Sequence, residues 1–350
     1  MNTTLKTSID KLIGHKLLSK EEFVALLNEN SEELRTFLAR EAFAVKQQHF
    51  SNQIYIRGLI EFSNYCKNDC YYCGIRCSNR TLSRYRLSKE QILSCCHQGY
   101  HLGFRTFVLQ GGEDAYYDDT YMTDIVSTIR QQFPDCAITL SLGERTKESY
   151  EQLFKAGANR YLLRHETADA IHYKKLHPPG MSHENRMSCL RELKAIGYQT
   201  GCGFMVGSPY QTKEHLAQDL LYIQDFKPEM VGIGPYVSHK DTPFKNEKNG
   251  TLEDTLLLLS ILRLMHPMLL LPATTALGTI SPEGRELGIL AGANVIMPNL
   301  SPSENRNQYS LYDNKICTDE EAAEGLHNLK LRMQSIGQDI VIDRGDAPHI

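Results

Sequence analysis

Cys66, Cys70 and Cys73 stand in Cys-x3-Cys-x2-Cys spacing within the polar stretch Tyr65-Cys66-Lys67-Asn68-Asp69-Cys70-Tyr71-Tyr72-Cys73-Gly74. Three thiolates this close can hold three irons of a 4Fe–4S cluster and leave the fourth open to a ligand, whereas electron carriers close all four with cysteine. Cys77 is the complication. A fourth thiolate would make a closed zinc or iron–sulfur site, so a non-catalytic metal-binding scaffold is the rival reading. Core cysteines do not collect in a Lys/Asn/Asp/Gly loop. The remaining six (Cys95, Cys96, Cys136, Cys189, Cys202 and Cys317) lie among apolar neighbours and read as small buried hydrophobes.

The elements that must position this loop follow from the hydrophobic pattern. Residues 1–50 read as an N-terminal helical extension, with Ser19 and Glu22 forming a capping box and Ser31 opening another helix. Short apolar or β-branched runs then alternate with amphipathic helices. Strands are expected at 54–62, 106–110, 137–142, 160–164, 200–206, 230–234, 270–275 and 294–297. Helices begin near Ser88, Asp119, Thr146, His183, Thr212, Leu252 and Pro282, and several stop on glycine. This count predicts a complete (βα)8 TIM-type barrel over 51–300, with a doubly wound open sheet as the alternative. A C-terminal extension, 301–350, carries one more helix at about 318–336.

In a barrel, alternate strand residues face the lumen. Arg160, Leu162, Arg164 and Glu166 share one side of their segment, Thr139 and Ser141 share another, and Arg57, Leu59 and Glu61 line up on the first strand. Charged residues on strands covered by helices belong inside, near the mouth. Arg57, Arg160 and Arg164 therefore describe a cavity suited to an anion, unless the arginines merely pair with glutamates to hold the barrel. The cysteine loop leaves the C-terminal end of the first strand, the face where barrel enzymes keep their active sites.

Composition narrows the function classes. The chain has 350 residues, 41% hydrophobic and 23% charged, with net charge −4. That balance describes a globular protein and speaks against an electrostatic nucleic-acid binder. Apolar runs such as Leu256-Leu257-Leu258-Leu259 fall far short of the ~18–20 residues a membrane span needs. The N-terminus shows no secretory signal and meets Asp10, Glu21 and Glu22 early, so the expected location is the cytoplasm. In a reducing compartment clustered cysteines bind metal more often than they form disulfides.

The order Cys66, Cys70, Tyr72, Cys73 resembles the Cys-x3-Cys-x-aromatic-Cys hallmark of the radical S-adenosylmethionine (SAM) superfamily, and Gly111-Gly112-Glu113 resembles its Gly-Gly-Glu motif after the second strand. The resemblance implies that the three cysteines bind a 4Fe–4S cluster whose open iron chelates SAM. Tyr72 would lie near the adenine, and the backbone of Gly111, Gly112 and Glu113 near the methionyl amino group. The strings Ile60-Glu61-Phe62-Ser63-Asn64, Leu140-Ser141-Leu142-Gly143-Glu144 and Pro272-Ala273-Thr274-Thr275-Ala276, with others at 109–114, 160–167, 230–236 and 293–299, look like the HydE-type FeFe-hydrogenase maturases within that superfamily. This closer likeness covers about residues 55–312.

The likeness implies reductive cleavage of SAM to a 5′-deoxyadenosyl radical. The radical would act on a cysteine-bound iron carbonyl–cyanide precursor during assembly of the hydrogenase di-iron subcluster, with other maturation proteins as partners. Thr139, Ser141, Glu166 and Arg186 match positions that hold SAM. Arg57, Gln110, Arg160, Arg164, Thr274, Thr275, Met297, Tyr309 and Tyr312 match positions lining the substrate cavity. Arg160 and Arg164, four apart on an extended segment, are expected at the barrel mouth, where one would grip the carboxylate of a small anionic, amino-acid-derived substrate. Some members of the family carry a second group of three cysteines near the C-terminus. Here Cys317 has no following cysteine, which speaks against a second cluster. The nearest alternative is a methylornithine synthase-like enzyme with the same cysteine loop; a biotin synthase would need a second set of luminal cluster ligands.

Overall fold

The computed structural model describes residues 3–316 and 322–348. The chain opens with helices Thr3–Ile13, Lys20–Glu29 and Glu32–Phe50. Ser19 and Glu22 form the expected reciprocal cap, and Ser31 caps the third helix. That third helix packs along the apolar helix Leu252–Met265.

Among the described residues eleven strands follow: β1 (Gln53–Ile56), β2 (Gly58–Ser63), β3 (Thr106–Gly111), β4 (Ala137–Ser141), β5 (Arg160–Leu162), β6 (Gln199–Cys202), β7 (Met205–Val206), β8 (Met230–Val231), β9 (Gly234–Pro235), β10 (Val295–Ile296) and β11 (Asp339–Val341). β2-β3-β4-β5-β6-β8 form one parallel sheet of six strands, with helices in the crossovers. β1 lies between β10 and β11 in a second sheet, and β7 pairs with β9.

This corrects the expected complete barrel of eight strands. The continuous sheet stops at six, and the fold is a partial barrel with flanking helices. From β8 to β10 the barrel wall continues only through single bridges, Met230 to Leu270 and Pro272 to Val295, and Leu59 bridges Asn299. The causes are local. Pro272 has no N–H to donate to a ladder. The expected strands at 200–206 and 230–234 are each broken at a glycine. Gly203, at φ +152, approaches Gly232 so closely that a Cβ on it would lie 2.0 Å from the Gly232 carbonyl oxygen. The expected strand at 54–62 is interrupted at Arg57, where the chain passes from one sheet to the other.

Several elements escaped the hydrophobic pattern. Helix Ala170–Leu176 follows the β5 segment, and helix Thr275–Ile280 begins where the strand 270–275 was expected to end. The tail helix runs Ala322–Ser335; the first residues expected for it, and Cys317, lie outside the described residues. After it β11 pairs in parallel with β1, Gln53 opposite Asp339. The last described residues continue across the end of the sheet where β3 and β5 begin: Thr106 Oγ1 donates to the Arg344 carbonyl at 2.7 Å.

Candidate active site

The loop after β2 is held by its own polar groups. Asp69 grips the Arg76 guanidinium through Nε at 2.7 Å and also accepts from the Ser78 hydroxyl at 2.7 Å. Those contacts hold the Asp69 carboxyl well below the usual carboxylate range, with Arg76 the main cause. Arg84 reaches in from the other side to the carbonyls of Ile75 and Arg76, at 2.8 and 2.6 Å. Three charged residues thus hold this loop in place.

Gly111-Gly112-Glu113 locks onto this loop. The Lys67 N–H donates to the Glu113 carbonyl at 2.9 Å. A Cβ on Gly112 would sit 2.1 Å from the Tyr65 carbonyl oxygen and 2.7 Å from Cys66 Cβ, so only glycine allows the approach. The Glu113 carboxylate pairs with Lys67 Nζ at 3.1 Å and accepts from the Glu144 N–H at 3.0 Å.

Cys66, Cys70 and Cys73 all face a cavity of ≈ 360 Å³, whereas Cys77 is exposed and lies off its wall. The same cavity is lined by Tyr72, Gly111, Gly112, Glu113, Thr139, Ser141, Glu166 and Arg186, and further in by Arg57, Gln110, Arg164, Thr274, Thr275, Met297, Tyr309 and Tyr312. Of the residues expected to hold the cofactors or line the substrate cavity, only Arg160 is elsewhere. Burial pushes all three cavity thiols up, Cys73 to about 12. They therefore need a cationic partner to ionise, as a cluster iron would be. Among the described residues every cysteine is free, and Cys95, Cys96, Cys136, Cys189 and Cys202 are buried as small hydrophobes. Among the described residues no three His, Cys, Asp or Glu side chains stand where they could hold a single metal ion.

The wall beside the cysteines is a network of charge and aromatic rings. Arg186 Nε meets Glu144 Oε1 at 2.6 Å, and its Nη1 donates to the Arg164 carbonyl at 3.2 Å. Burial works against the Arg186 charge, but Tyr173, Glu144 and Glu113 more than offset it and hold the group cationic. Glu166 carries a positive φ of 65°, and its Oε2 lies 3.3 Å from Arg164 Nη2. The Tyr72 hydroxyl is 3.1 Å from His177 Nε2, while His177 Nδ1 lies 2.9 Å from the Tyr173 carbonyl. A carbonyl can only accept, so Nδ1 carries the proton and Nε2 accepts from Tyr72. Tyr173 stacks on the same imidazole at 3.9 Å. Tyr173 and His177 were missed from sequence; the nearest signal was His177-Pro178-Pro179, a helix stop without a chemical motif.

Arg160 and Arg164 do not point the same way, against the expectation from their spacing. β5 ends at Leu162, so the two-residue alternation does not reach Arg164. Arg160 opens the strand at the end remote from the cysteine loop, where Thr106 Oγ1, Gln199, the Arg344 carbonyl and Asp346 engage its guanidinium. Arg160 is committed to these partners and does not line the cavity, so it is not the substrate-gripping group expected of it. Arg57 does face the cavity. Its Nη1 lies 2.9 Å from Met230 Sδ, and its Nε and Nη2 are buried without a hydrogen-bond partner.

Comparisons with known proteins place this architecture. A sequence profile for the radical SAM superfamily matches residues 60–223. The [FeFe] hydrogenase maturase subunit HydE of Thermotoga maritima is 45% identical over 299 residues, 85% of each chain. The chain belongs to the radical SAM superfamily. It is an enzyme of that superfamily, and its cofactors are a 4Fe–4S cluster and SAM. The 3-methylornithine synthase of Methanosarcina barkeri is 29% identical, covering 94% of this chain and 92% of that one. The crystal structure of methylornithine synthase (PylB) superposes with TM-score 0.83 at 28% identity, covering 95% and 96% of the two chains. That of HydG, a maturase of the [FeFe]-hydrogenase, superposes at 0.81 and 21% identity, covering 96% of this chain and 75% of that one, a likeness of fold. Among the described residues no helix is long and apolar enough to cross a membrane.

Proposed function

We propose that the chain performs radical chemistry on a small, carboxylate-bearing, amino-acid-derived substrate held in the barrel cavity below Cys66, Cys70 and Cys73. Bound together, cluster and SAM supply a carbon-centred radical; the residues around them orient, neutralise and exclude water. Tyr72, locked by His177, and the backbone of Gly111, Gly112 and Glu113 form the cofactor wall, with Thr139, Ser141, Glu166 and Arg186 holding the rest of SAM. Arg164 and Arg57 face the substrate.

The observation that carries this reading is Arg57, whose Nε and Nη2 are buried in the cavity without a partner. A buried, unpaired guanidinium is costly, and a ligand carboxylate relieves it through parallel N–H donors. The cavity, at ≈ 360 Å³, has room for an amino-acid-sized ligand.

Within that reading two substrates compete. Identity of 45% to a hydrogenase maturase against 29% to 3-methylornithine synthases favours hydrogenase maturation, with an iron-containing, cysteine-derived precursor as substrate. The superposition on methylornithine synthase, at 0.83 and near-complete coverage of both chains, favours a lysine-type substrate. The test is to supply the chain to a host lacking its own HydE-type maturase, and in parallel to assay conversion of lysine to 3-methylornithine by the reconstituted enzyme. Restored hydrogenase activity supports maturation, 3-methylornithine supports the second reading, and SAM cleavage without either overturns both.

A further inference from the structure

A second, smaller cavity of ≈ 80 Å³ lies beside the barrel, between the chain after β10 and helices Thr275–Ile280, Gly284–Leu290 and Ala322–Ser335. It shares Leu59, Thr275, Met297 and Lys315 with the reaction cavity, so the two are separated by a single layer of side chains. Its charged lining among the described residues is entirely basic: Arg285, Arg306, Lys315 and Arg332.

These cations differ in how they are used. Lys315 Nζ is held by Glu61 Oε1 at 2.5 Å and by the Tyr309 carbonyl at 3.1 Å. Arg332 makes a forked pair with Glu286, its Nη2 at 2.6 Å from Oε2. Arg306 Nε donates to the Ser301 carbonyl at 2.8 Å. Arg285 is different. It is 6% exposed, its Nε is buried without a partner, and Glu286 beside it in sequence is committed to Arg332. Its stem lies against Gly278, where an added Cβ would be 3.6 Å from both Cγ and Nε. The guanidinium is thus packed in place with a buried Nε that has no partner, a donor that an oxyanion can take.

We propose that this side cavity is a second anion-binding site, in which Arg285 takes a carboxylate or phosphate group of a ligand only a few heavy atoms in size. The site is separate from the reaction cavity and does not depend on which substrate the barrel takes. Lys315 stands in the shared wall.

The reconstituted holoenzyme with SAM bound, in chloride-free buffer, is titrated calorimetrically with acetate and, separately, with inorganic phosphate. Crystals of the same protein are soaked in bromide, whose anomalous scattering locates it. A bromide peak within hydrogen-bond reach of Arg285 is expected, together with saturable binding of at least one oxyanion that weakens tenfold or more in Arg285→Gln and less in Arg285→Lys. Acetate alone assigns the site to carboxylates, phosphate alone to phosphates. Bromide confined to the barrel cavity, no saturable binding of either oxyanion, or wild-type affinity in Arg285→Gln overturns the proposal. If Arg285→Gln does not fold, the wild-type bromide map decides.

Discussion

Arg160 Nη2 and Asp346 Oδ1 meet at 2.7 Å, tying a fully buried arginine of the central sheet to the last residues of the chain. Gln199 shares the carboxylate, its Nε2 at 3.0 Å from the same oxygen. Removing one partner of such a pair leaves a buried charge stranded, at a cost of about 3–5 kcal/mol when both are buried and less here because Asp346 is partly exposed. Asp346→Ala is therefore expected to lower the melting temperature by several degrees while SAM binding and iron content stay at wild-type levels. A variant with normal stability and weakened SAM binding would contradict the structural assignment.

The same pair has an acid signature. Burial raises the Asp346 carboxyl, but Arg160 outweighs it and the folded value is lowered. A depressed folded value means the stabilisation is fully present above the unfolded carboxyl value of about 3.9 and is lost as pH falls through the folded one. Denaturant melts of wild type and Asp346→Asn should differ most above pH ~4 and converge below it. A gap that stayed constant down to pH 2 would rule out ionisation as its source.

His177 runs the opposite way. Burial lowers its folded value to about 3, so below the unfolded value of about 6.5 the unfolded chain takes up a proton that the folded one refuses. Stability falls across that window by up to about 1.4 kcal/mol per pH unit. In His177→Gln the slope between pH 6.5 and 4 should flatten. An unchanged slope would mean that the imidazole titrates freely in the folded protein.

Gly112→Ala tests the contact between the two motifs. The added methyl would stand 2.1 Å from the Tyr65 carbonyl and must displace the segment that carries Cys66. Expected is a protein that folds but loads well under the wild-type iron, read by iron assay after anaerobic reconstitution. Cys70→Ser should lose cluster and SAM cleavage together, and Cys77→Ser should keep both. Loss of the cluster in Cys77→Ser would restore the four-thiolate reading.

Arg164→Lys keeps the charge but not the planar fork. Losing a charged hydrogen bond of ~1.5–3 kcal/mol predicts a tenfold or greater fall in coupled turnover, with SAM cleavage uncoupled from product. Arg57→Met should show the same pattern. If Arg164→Lys abolishes SAM binding instead, Arg164 belongs to the cofactor wall together with Glu166.

The cysteine loop and the residues around the reaction cavity were legible because spacing and strand-end position are local properties. Closure of the sheet was not legible. It turned on Pro272 and on the approach of Gly203 to Gly232, which pattern alone does not reveal. Arg160 was misread for a related reason. Period-two alternation puts it on the side of Arg164, but nothing in the string says that β5 ends at Leu162 or that Asp346 lies within reach. β11, the His177–Tyr72 contact and the basic side cavity all depend on contacts between distant parts of the chain.

The place of β1 between β10 and β11 sets a timetable on the ribosome. Synthesis at ~5–20 residues per second means that roughly 15–60 seconds pass between the emergence of Ile56 and that of Val341. Until Val295 emerges that strand has both edges open, and from then until Val341 emerges the edge that β11 covers stays open. An open strand edge is a template for intermolecular pairing. Ribosomes that stall before Val341 has emerged should therefore yield inclusion bodies in place of a truncated enzyme.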